Sequence, residues 1–370
     1  MLIGILKEQD DARVSIVPEI AAKFIGEGNE ALVEKGAGEL SYFSDAAYEE
    51  AGVKAVAREE VLSKANFIVS IHPLTEAEIA STPEDAVIVS SFQPYAQPEV
   101  ATSLAQKSRT VFSLDMIPRT TLAQSMDVLS SMASISGYQA VVKAATILPR
   151  YFPMLSTAAG TIPPAKVLVI GAGVAGLQAI ATAKRLGTVI EAFDTRAAAK
   201  EEVQSLGAKF VEVEGAKDDT SAGGYAVEQT EEYKQKQAAL IAEKAEKADV
   251  IITTALLRGK KAPVIIGKDI LDKMKPGSVI MDLASAGGGN TAVTEDKKTV
   301  VYNHVTVVGD SNLAAEVPSH ASQLYSKNLQ NFFKIFLIEG KVDPDFENEI
   351  IASSCIVYNG EDKYNKVVVA

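Results

Sequence analysis

The sequence predicts an α/β protein made of two doubly wound parallel-sheet domains, and three observations carry that reading. At 370 residues the chain exceeds what one core of ordinary size holds, so two domains of roughly 150 to 200 residues follow. Short β-type apolar runs alternate with amphipathic helical ones, which implies parallel sheets covered by helices on both faces. At Val167 to Gly176 the run VLVIGAGVAG passes from a buried-type strand into glycines spaced G-x-G-x-x-G, and an apolar helical stretch follows at once.

Taken in order, the N-terminal third offers strands at residues 2–6, 31–34, 66–71, 86–92 and 110–116. Helices fall between them at 18–27, 45–51, 75–80 and 98–107, with Gly28 and Gly52 as stops. No glycine-rich turn follows the first strand, so this domain is doubly wound without a dinucleotide fingerprint. Residues 120–148 read as a helix with a break at Gly137, and Pro149, Pro153, Pro163 and Pro164 mark an irregular start to the second domain. After the glycine motif come a helix at 177–186, strands at 188–193 and 209–213, and a helix at 196–206 between them. A polar loop at 215–230, a charged helix at 231–247 and a strand at 249–255 follow. The remainder of this domain is a helix at 268–274, a strand at 278–283, a glycine-rich turn at 285–290 and β runs at 299–302 and 305–308. That is about seven strands in a Rossmann-like pattern. Residues 322–339 are helical, with Leu324, Leu329, Phe332, Phe333, Phe336 and Leu337 on a wide apolar face. This segment is expected to pack back on the first domain, and the polar tail after Gly340 to be loosely held. The predicted organisation is a discontinuous first domain, 1–125 with 321–370, and a second at 140–320. Helix 119–148 connects them, and a cleft lies between the lobes.

Composition narrows the function. Apolar residues at 47% and charged ones at 23% describe an ordinary globular protein. A formal charge of −12, with no dense Lys/Arg cluster to offset it, repels nucleic acid and anionic lipid. The single cysteine, Cys355, excludes an intramolecular disulfide and suits a reducing cytosol. The N-terminus MLIGILKEQD reads as a first strand and not as a signal core, and no apolar run reaches the ~18 to 20 residues that span a bilayer.

The glycine motif points to a dinucleotide. Gly171 permits the tight turn out of the strand, Gly173 lets backbone N–H groups approach a pyrophosphate, and Gly176 lets the helix pack on the sheet. The helix N-terminus favours the phosphates. Asp194 stands 18 residues beyond Gly176, where a carboxylate accepts from the adenosine ribose hydroxyls and repels a 2′-phosphate, which favours NAD over NADP. Arg196 dissents, since an Arg there accommodates that phosphate. The alternative for Asp194 is a cap on the helix 196–206.

Other candidates are weaker. Arg119 opens the connector, and Gln124, Asp127 and Ser130 recur at three-residue intervals along one helix side, either a solvated face or a surface turned to the cleft. The loop around Gly223, Gly224 and Tyr225 is a surface loop or a lid. His72, His304 and His320 lie apart without metal-ligand spacing, so no metal is expected. The run Gly287 to Gly289 reads as a turn.

The chain resembles the NAD(H)-binding component, domain I, of proton-translocating nicotinamide nucleotide transhydrogenases over nearly its whole length. The similar stretches are ARVSIVPE, TIPPAKVLVIGAGVAGLQAI, AFDTR at Ala192 to Arg196, PRTTLAQSMDVLSSMASISGY, GGYA, TTALLRGKKAP and SQLYSKNLQNF. The segment RTTLAQSMDVLSS is the most specific of them. The resemblance implies a homodimer that binds NAD(H) in the cleft and docks on a partner component carrying NADP(H), above a transmembrane component. It implies peripheral membrane association through those partners on the cytoplasmic or equivalent matrix side, and direct hydride transfer between the two nicotinamide rings. By position, Arg119, Asp127 and Ser130 resemble residues that hold the nicotinamide end, and Gln124 the one that reaches the partner's nucleotide. Tyr225 resembles the tyrosine of a loop that closes over NAD(H). Val174, Thr195, Ala255 and Leu256 join Gly171, Gly173, Gly176 and Asp194 as coenzyme contacts. In the family the polypeptide often continues into transmembrane helices, so the chain is either a separate soluble subunit or a fragment.

Alanine dehydrogenases are the competing resemblance, sharing the element around Arg13. They place a substrate-binding Lys where this chain has Ile71, ahead of Pro73-Leu74, and a catalytic His where it carries Gln93; His72 adjoins the missing Lys. Amino-acid dehydrogenation is thus the runner-up. A non-catalytic NAD(H)-binding regulator is the third reading.

Overall fold

Six short strands alternate with helices through the N-terminal third of the chain: β1 Leu2–Ile5, β2 Glu30–Glu34, β3 Lys54–Val56, β4 Phe67–Val69, β5 Val87–Ser90 and β6 Thr110–Ser113. All pair in parallel, in the order β3-β2-β1-β4-β5-β6. Period-two alternation sends Ile3, Ile5, Phe67, Val69 and Phe112 into one core, and Ile68, Ile88 and Val111 into another on the opposite face. This explains why the strands read as unbroken apolar runs. Several are shorter than their apolar runs, because Ile71 and Phe92 are buried in loops beyond the ladder. The strand β3 and the helix Arg58–Lys64 lie outside the sequence expectations, since three residues are too few for alternation to register.

The computed structural model, which describes residues 1–106, 109–196, 198–213, 231–256 and 259–364, divides into two units, Met1–Met132 with Ala315–Ala370, and Ala133–Ala314. The boundary falls inside the helix Val128–Ile147. The connector does not break at Gly137, as the sequence suggested. It changes at Asp127, where the 3-10 turn Thr121–Met126 gives way to an extended residue before the helix starts. Gly137 is helical, and its lack of a side chain answers a packing need: a Cβ there would lie 2.9 Å from the Ala175 carbonyl carbon and closer still to its oxygen.

In the second unit the proline-rich start forms an exposed hairpin, β7 Leu155–Thr157 with β8 Gly160–Ile162. The sheet follows as β9 Lys166–Ile170, β10 Val189–Phe193, β11 Lys209–Phe210, β12 Val250–Thr253, β13 Val279–Asp282, β14 Lys298–Tyr302 and β15 Val305–Gly309. Its order is β11-β10-β9-β12-β13-β15-β14. Only β14 runs antiparallel, as a hairpin partner of β15, so six of the seven strands follow the doubly wound pattern. The order reverses between β9 and β12, the switch point at which open α/β sheets bind ligands.

The chain then returns to the first sheet. The helix Pro318–Phe333 ends earlier than 339, its Leu324 is exposed, and the hairpin β16 Leu337–Ile338 with β17 Lys341–Val342 follows. Phe332, Phe333 and Phe336 enter the first unit's core, where Phe336 stacks on Phe112 with ring centroids 4.4 Å apart and Phe333 meets Phe67 edge-on at 4.8 Å. The described part of the tail, as far as Tyr364, is not loosely held. The strand β18 Cys355–Tyr358 pairs antiparallel with β6, β19 Glu361–Asp362 extends the sheet, and Ile350, Ile351, Ile356 and Val357 are buried. Burial pushes the Cys355 thiol up to about 12, which leaves it a packing residue and not a nucleophile.

Substituting Gly137→Ala tests the packing. Helix propensity favours alanine by about 1 kcal/mol, but backbone cannot swing away from the new methyl. The expected result is a net loss of about 1–2 kcal/mol, read as a lower urea midpoint at unchanged slope.

Candidate functional site

The strongest candidate lies at the C-terminal ends of β9, β10 and β12. Gly171 leaves β9 with φ of 98°, a conformation that L side chains avoid. Its carbonyl oxygen fills the space where a Gly176 side chain would begin, so the following helix packs against the turn itself. That helix, Val174–Arg185, has Gly173 as its N-cap and carries Lys184 and Arg185 in its last turn, complementing its dipole. Its first-turn N–H groups lack intrahelical acceptors. A Cβ on Gly173 would meet nothing within 4 Å, so space is open above those donors, and Val174 beside it is exposed. The arrangement fits a pyrophosphate on the helix N-terminus.

Asp194 follows β10, and its carboxylate closes the turn from below. Oδ2 accepts from the Ala172 N–H at 2.7 Å and from the Arg196 guanidinium at 3.1 Å, while Oδ1 accepts from the Arg196 N–H at 2.8 Å and Nε at 3.0 Å. Asp194 is not a helix cap, because the next helix is Ala199–Ser205 with Ala198 at its N-cap. Arg196 also donates to the Ala172 carbonyl, so its charge is drawn onto the glycine turn. Thr195 between them is half-buried. After β12, Thr254 donates its hydroxyl to the Gly171 carbonyl at 3.0 Å. Ala255 is then fixed by Asn290, and Leu256 is exposed. Asn290 and its support Asp282 went unnoticed in the sequence, where the glycine run beside them was the one available signal.

The other predicted group lies in the first unit. Arg119 and Gln124 are exposed, Asp127 is buried and Ser130 is half-buried. Gln124, Asp127 and Ser130 do not share one side of a helix, because Asp127 is the non-helical residue that caps it. Its carboxylate accepts from the Ser130 N–H at 2.9 Å and the Ser130 hydroxyl at 2.6 Å. Asn328 and Asn331, from the helix Pro318–Phe333, donate to the Ser125 carbonyl and anchor the preceding turn. Tyr225 lies outside the described residues. Among the described residues, no group of His, Cys, Asp or Glu could hold a metal ion, and no helix is long and apolar enough to cross a membrane.

Residues 4–136 match the family described as alanine dehydrogenase/PNT, N-terminal domain, and residues 140–365 match its C-terminal domain. The chain belongs to the alanine dehydrogenase/PNT family. Within it, the chain is 43% identical over 377 aligned residues to an NAD(P) transhydrogenase subunit alpha chain of Rhodospirillum rubrum, covering 97% of each. It is 42% identical to the NAD(P) transhydrogenase subunit alpha of Haemophilus influenzae, covering 98% of this chain and 72% of that one. The solved transhydrogenase of Sinorhizobium meliloti superposes with a TM-score of 0.85 at 39% identity, over 98% of both chains. An L-alanine dehydrogenase superposes at 0.82 with 20% identity, over 100% of this chain and 99% of that one, which speaks for the fold alone.

For this alanine dehydrogenase/PNT family member, the sequence leaves Arg13 either ion-paired or a substrate clamp. The structure places it in a buried ion pair: Asp11 accepts from Arg13 Nε at 2.9 Å and from the second guanidinium nitrogen, and from His72 Nε2 at 2.9 Å. Glu8 accepts from the N–H groups of Ile71 and His72. Burial pushes the Glu8 carboxyl up. For Asp11 burial acts in the same sense, but the hydrogen bonds from Arg13 and His72 overcome it and hold that carboxyl well below the usual range.

Because the folded Asp11 pKa is depressed, its stabilisation is fully present above the unfolded carboxylate value, about 4, and is lost as pH falls toward the folded one. Asp11→Ala removes the carboxylate that pairs with a buried guanidinium and should cost about 3–5 kcal/mol at pH 7. Urea unfolding from pH 7 to 3 should show the gap to wild type narrowing on acidification.

Proposed function

We propose that the chain is the NAD(H)-binding component of a proton-translocating transhydrogenase and passes hydride directly to NADP+ on a partner component. One observation carries this reading: the turn at 171–176, closed by Asp194 at the switch point of the second sheet. End-to-end similarity to proteins named NAD(P) transhydrogenase subunit alpha supports it.

Each residue then has a defined task. The N-terminus of the helix Val174–Arg185 holds the pyrophosphate, and Asp194 receives the adenosine ribose hydroxyls, sharing its oxygens with Arg196. The Arg196 guanidinium is committed to Asp194 and the Ala172 carbonyl, so it does not serve as a clamp for a 2′-phosphate, and NAD(H) is preferred to NADP(H). Bound NADH supplies the hydride. Arg119, Asp127 and Ser130 orient the nicotinamide end, with the Asp127–Ser130 cap setting one side-chain geometry before ligand arrives. Gln124, exposed beside them, faces the partner's nucleotide. Hydride transfer asks for alignment and exclusion of water and for no protein acid or base at the reacting carbon. The active assembly is a homodimer docked on the NADP(H)-binding and transmembrane components, at the cytoplasmic side of the membrane.

Amino-acid dehydrogenation is disfavoured by the commitment of Arg13 to Asp11. Ile71 offers no cation, and Gln93, at φ of 53°, offers no proton donor of histidine type to a keto group. With pyruvate, ammonia and NADH, the chain alone should leave the reduced-nicotinamide absorbance unchanged.

Stopped-flow mixing of the NADH-loaded chain with the partner carrying an oxidised NADP analogue should show direct, stereospecific transfer. No transfer to a competent partner overturns the proposal, leaving a non-catalytic NAD(H)-binding protein if NADH still binds. Asp194→Ala should weaken NADH binding by about 1–3 kcal/mol and narrow the preference over NADPH, measured by nucleotide fluorescence titration. Gln124→Ala should leave NADH affinity unchanged and slow transfer to the partner.

A further inference from the structure

The stretch SAGGGN at 285–290 is a turn, but its last residue does more than close it. Gly288 and Gly289 have φ of 101° and 81°, and a Cβ on Gly289 would lie 2.8 Å from Asp282 Oδ2, so glycine is required there. The reversal delivers Asn290, which has no exposed surface. Its carboxamide oxygen accepts from the Ala255 N–H at 3.0 Å, and its amide nitrogen donates to the Ala255 carbonyl at 2.8 Å and the Pro263 carbonyl at 2.9 Å. The strand β12 ends at Thr253. Beyond that point the Asn290 side chain pairs with both backbone groups of Ala255, as a peptide unit of a neighbouring strand would.

Asn290 is itself held from both sides. Its N–H donates to Asp282 Oδ2 at 2.6 Å, and its carbonyl accepts from the N–H groups of Ile265 and Ile266 at 2.8 and 3.0 Å. Asp282, 1% exposed, also takes the Ala284 N–H and the Thr294 hydroxyl. On the other side, Thr254 donates its N–H to the Ile170 carbonyl at 2.9 Å and its hydroxyl to that of Gly171. Hydrogen bonds thus link β13 to Asn290 and Asn290 to Ala255, and those of the adjoining Thr254 carry the line on to the glycine turn, across the switch point.

We infer that Asn290 is a positioning residue for the coenzyme: its amide fixes Ala255, and with it Leu256, against the Gly171 turn before ligand binds. The inference rests on the dinucleotide reading given above. Neither aspartate nor alanine supplies the same contacts. Aspartate loses both donated bonds, and alanine removes the side-chain partner of three backbone groups, the Ala255 N–H and carbonyl and the Pro263 carbonyl.

The test compares Asn290→Asp and Asn290→Ala with wild type by NADH titration and by amide hydrogen exchange of the ligand-free chain. Both variants should keep a cooperative thermal transition, raise the NADH dissociation constant about tenfold or more, and speed exchange at Ala255 while the β12 amides stay protected. The transfer rate at saturating NADH should fall far less than the affinity. Folded variants with wild-type affinity and exchange overturn the inference. So does failure of both variants to fold, which would make Asn290 a determinant of the fold. A wild-type chain that binds no NADH refutes the coenzyme reading instead, and the exchange comparison then still decides whether Asn290 holds Ala255.

Discussion

Backbone packed directly on backbone is the constraint on which the second unit depends. The Gly171 carbonyl occupies the place of a Gly176 side chain, and the carbonyl of Ala175, one residue earlier on the same helix, occupies the place of a Gly137 side chain. The first turn of Val174–Arg185 is therefore gripped from two directions, by the strand that feeds it and by the helix Val128–Ile147. Only glycine permits either approach. The helix end that offers its N–H groups is consequently fixed by shape rather than by side-chain contacts that could re-pack.

Around this contact the sheets face a common problem: where parallel strands stop, their neighbours' N–H and C=O groups still need partners. Buried acids and amides supply them. Asp249 takes the Lys166 N–H and Lys275, Asp282 takes the turn after β13, and Asn290 takes Ala255. In the first unit Glu8 serves Ile71 and His72, and Asp11 gathers Arg13 and His72. Burial would expel each charge on its own, so every acid comes with several donors. Only some of these clusters bear on the site. The Asp11 cluster is accounted for as structure.

The fold was largely legible because strands buried on both faces make unbroken apolar runs, and because glycine at 171, 173 and 176 has a specific steric meaning. What escaped was of two kinds. Very short elements such as Lys54–Val56 carry too few residues for a period, and in the tail the apolar CIVY was diluted by polar neighbours. The second kind was pairing at long range. That His72 would join Arg13 at Asp11, and that Asn290 would reach Ala255, are facts of folding, and spacing along the chain does not encode them. The polar stripe at 124, 127 and 130 misled for a local reason. Its periodicity was helical, but its middle residue had a better use as an acceptor at the helix start than as part of the helix.

The return of β18 to the edge of β6 fixes an order of events during synthesis. The second unit is one continuous stretch and can close its sheet as soon as β15 has emerged. The first unit cannot. Its β6 waits for a partner more than two hundred residues downstream, and its aromatic core waits for Phe332, Phe333 and Phe336. The half of the protein that is made first is therefore finished last, and until then it exposes one edge of a parallel sheet and an open apolar face. An unfinished first lobe beside a completed second one is the nascent state with most need of protection from aggregation.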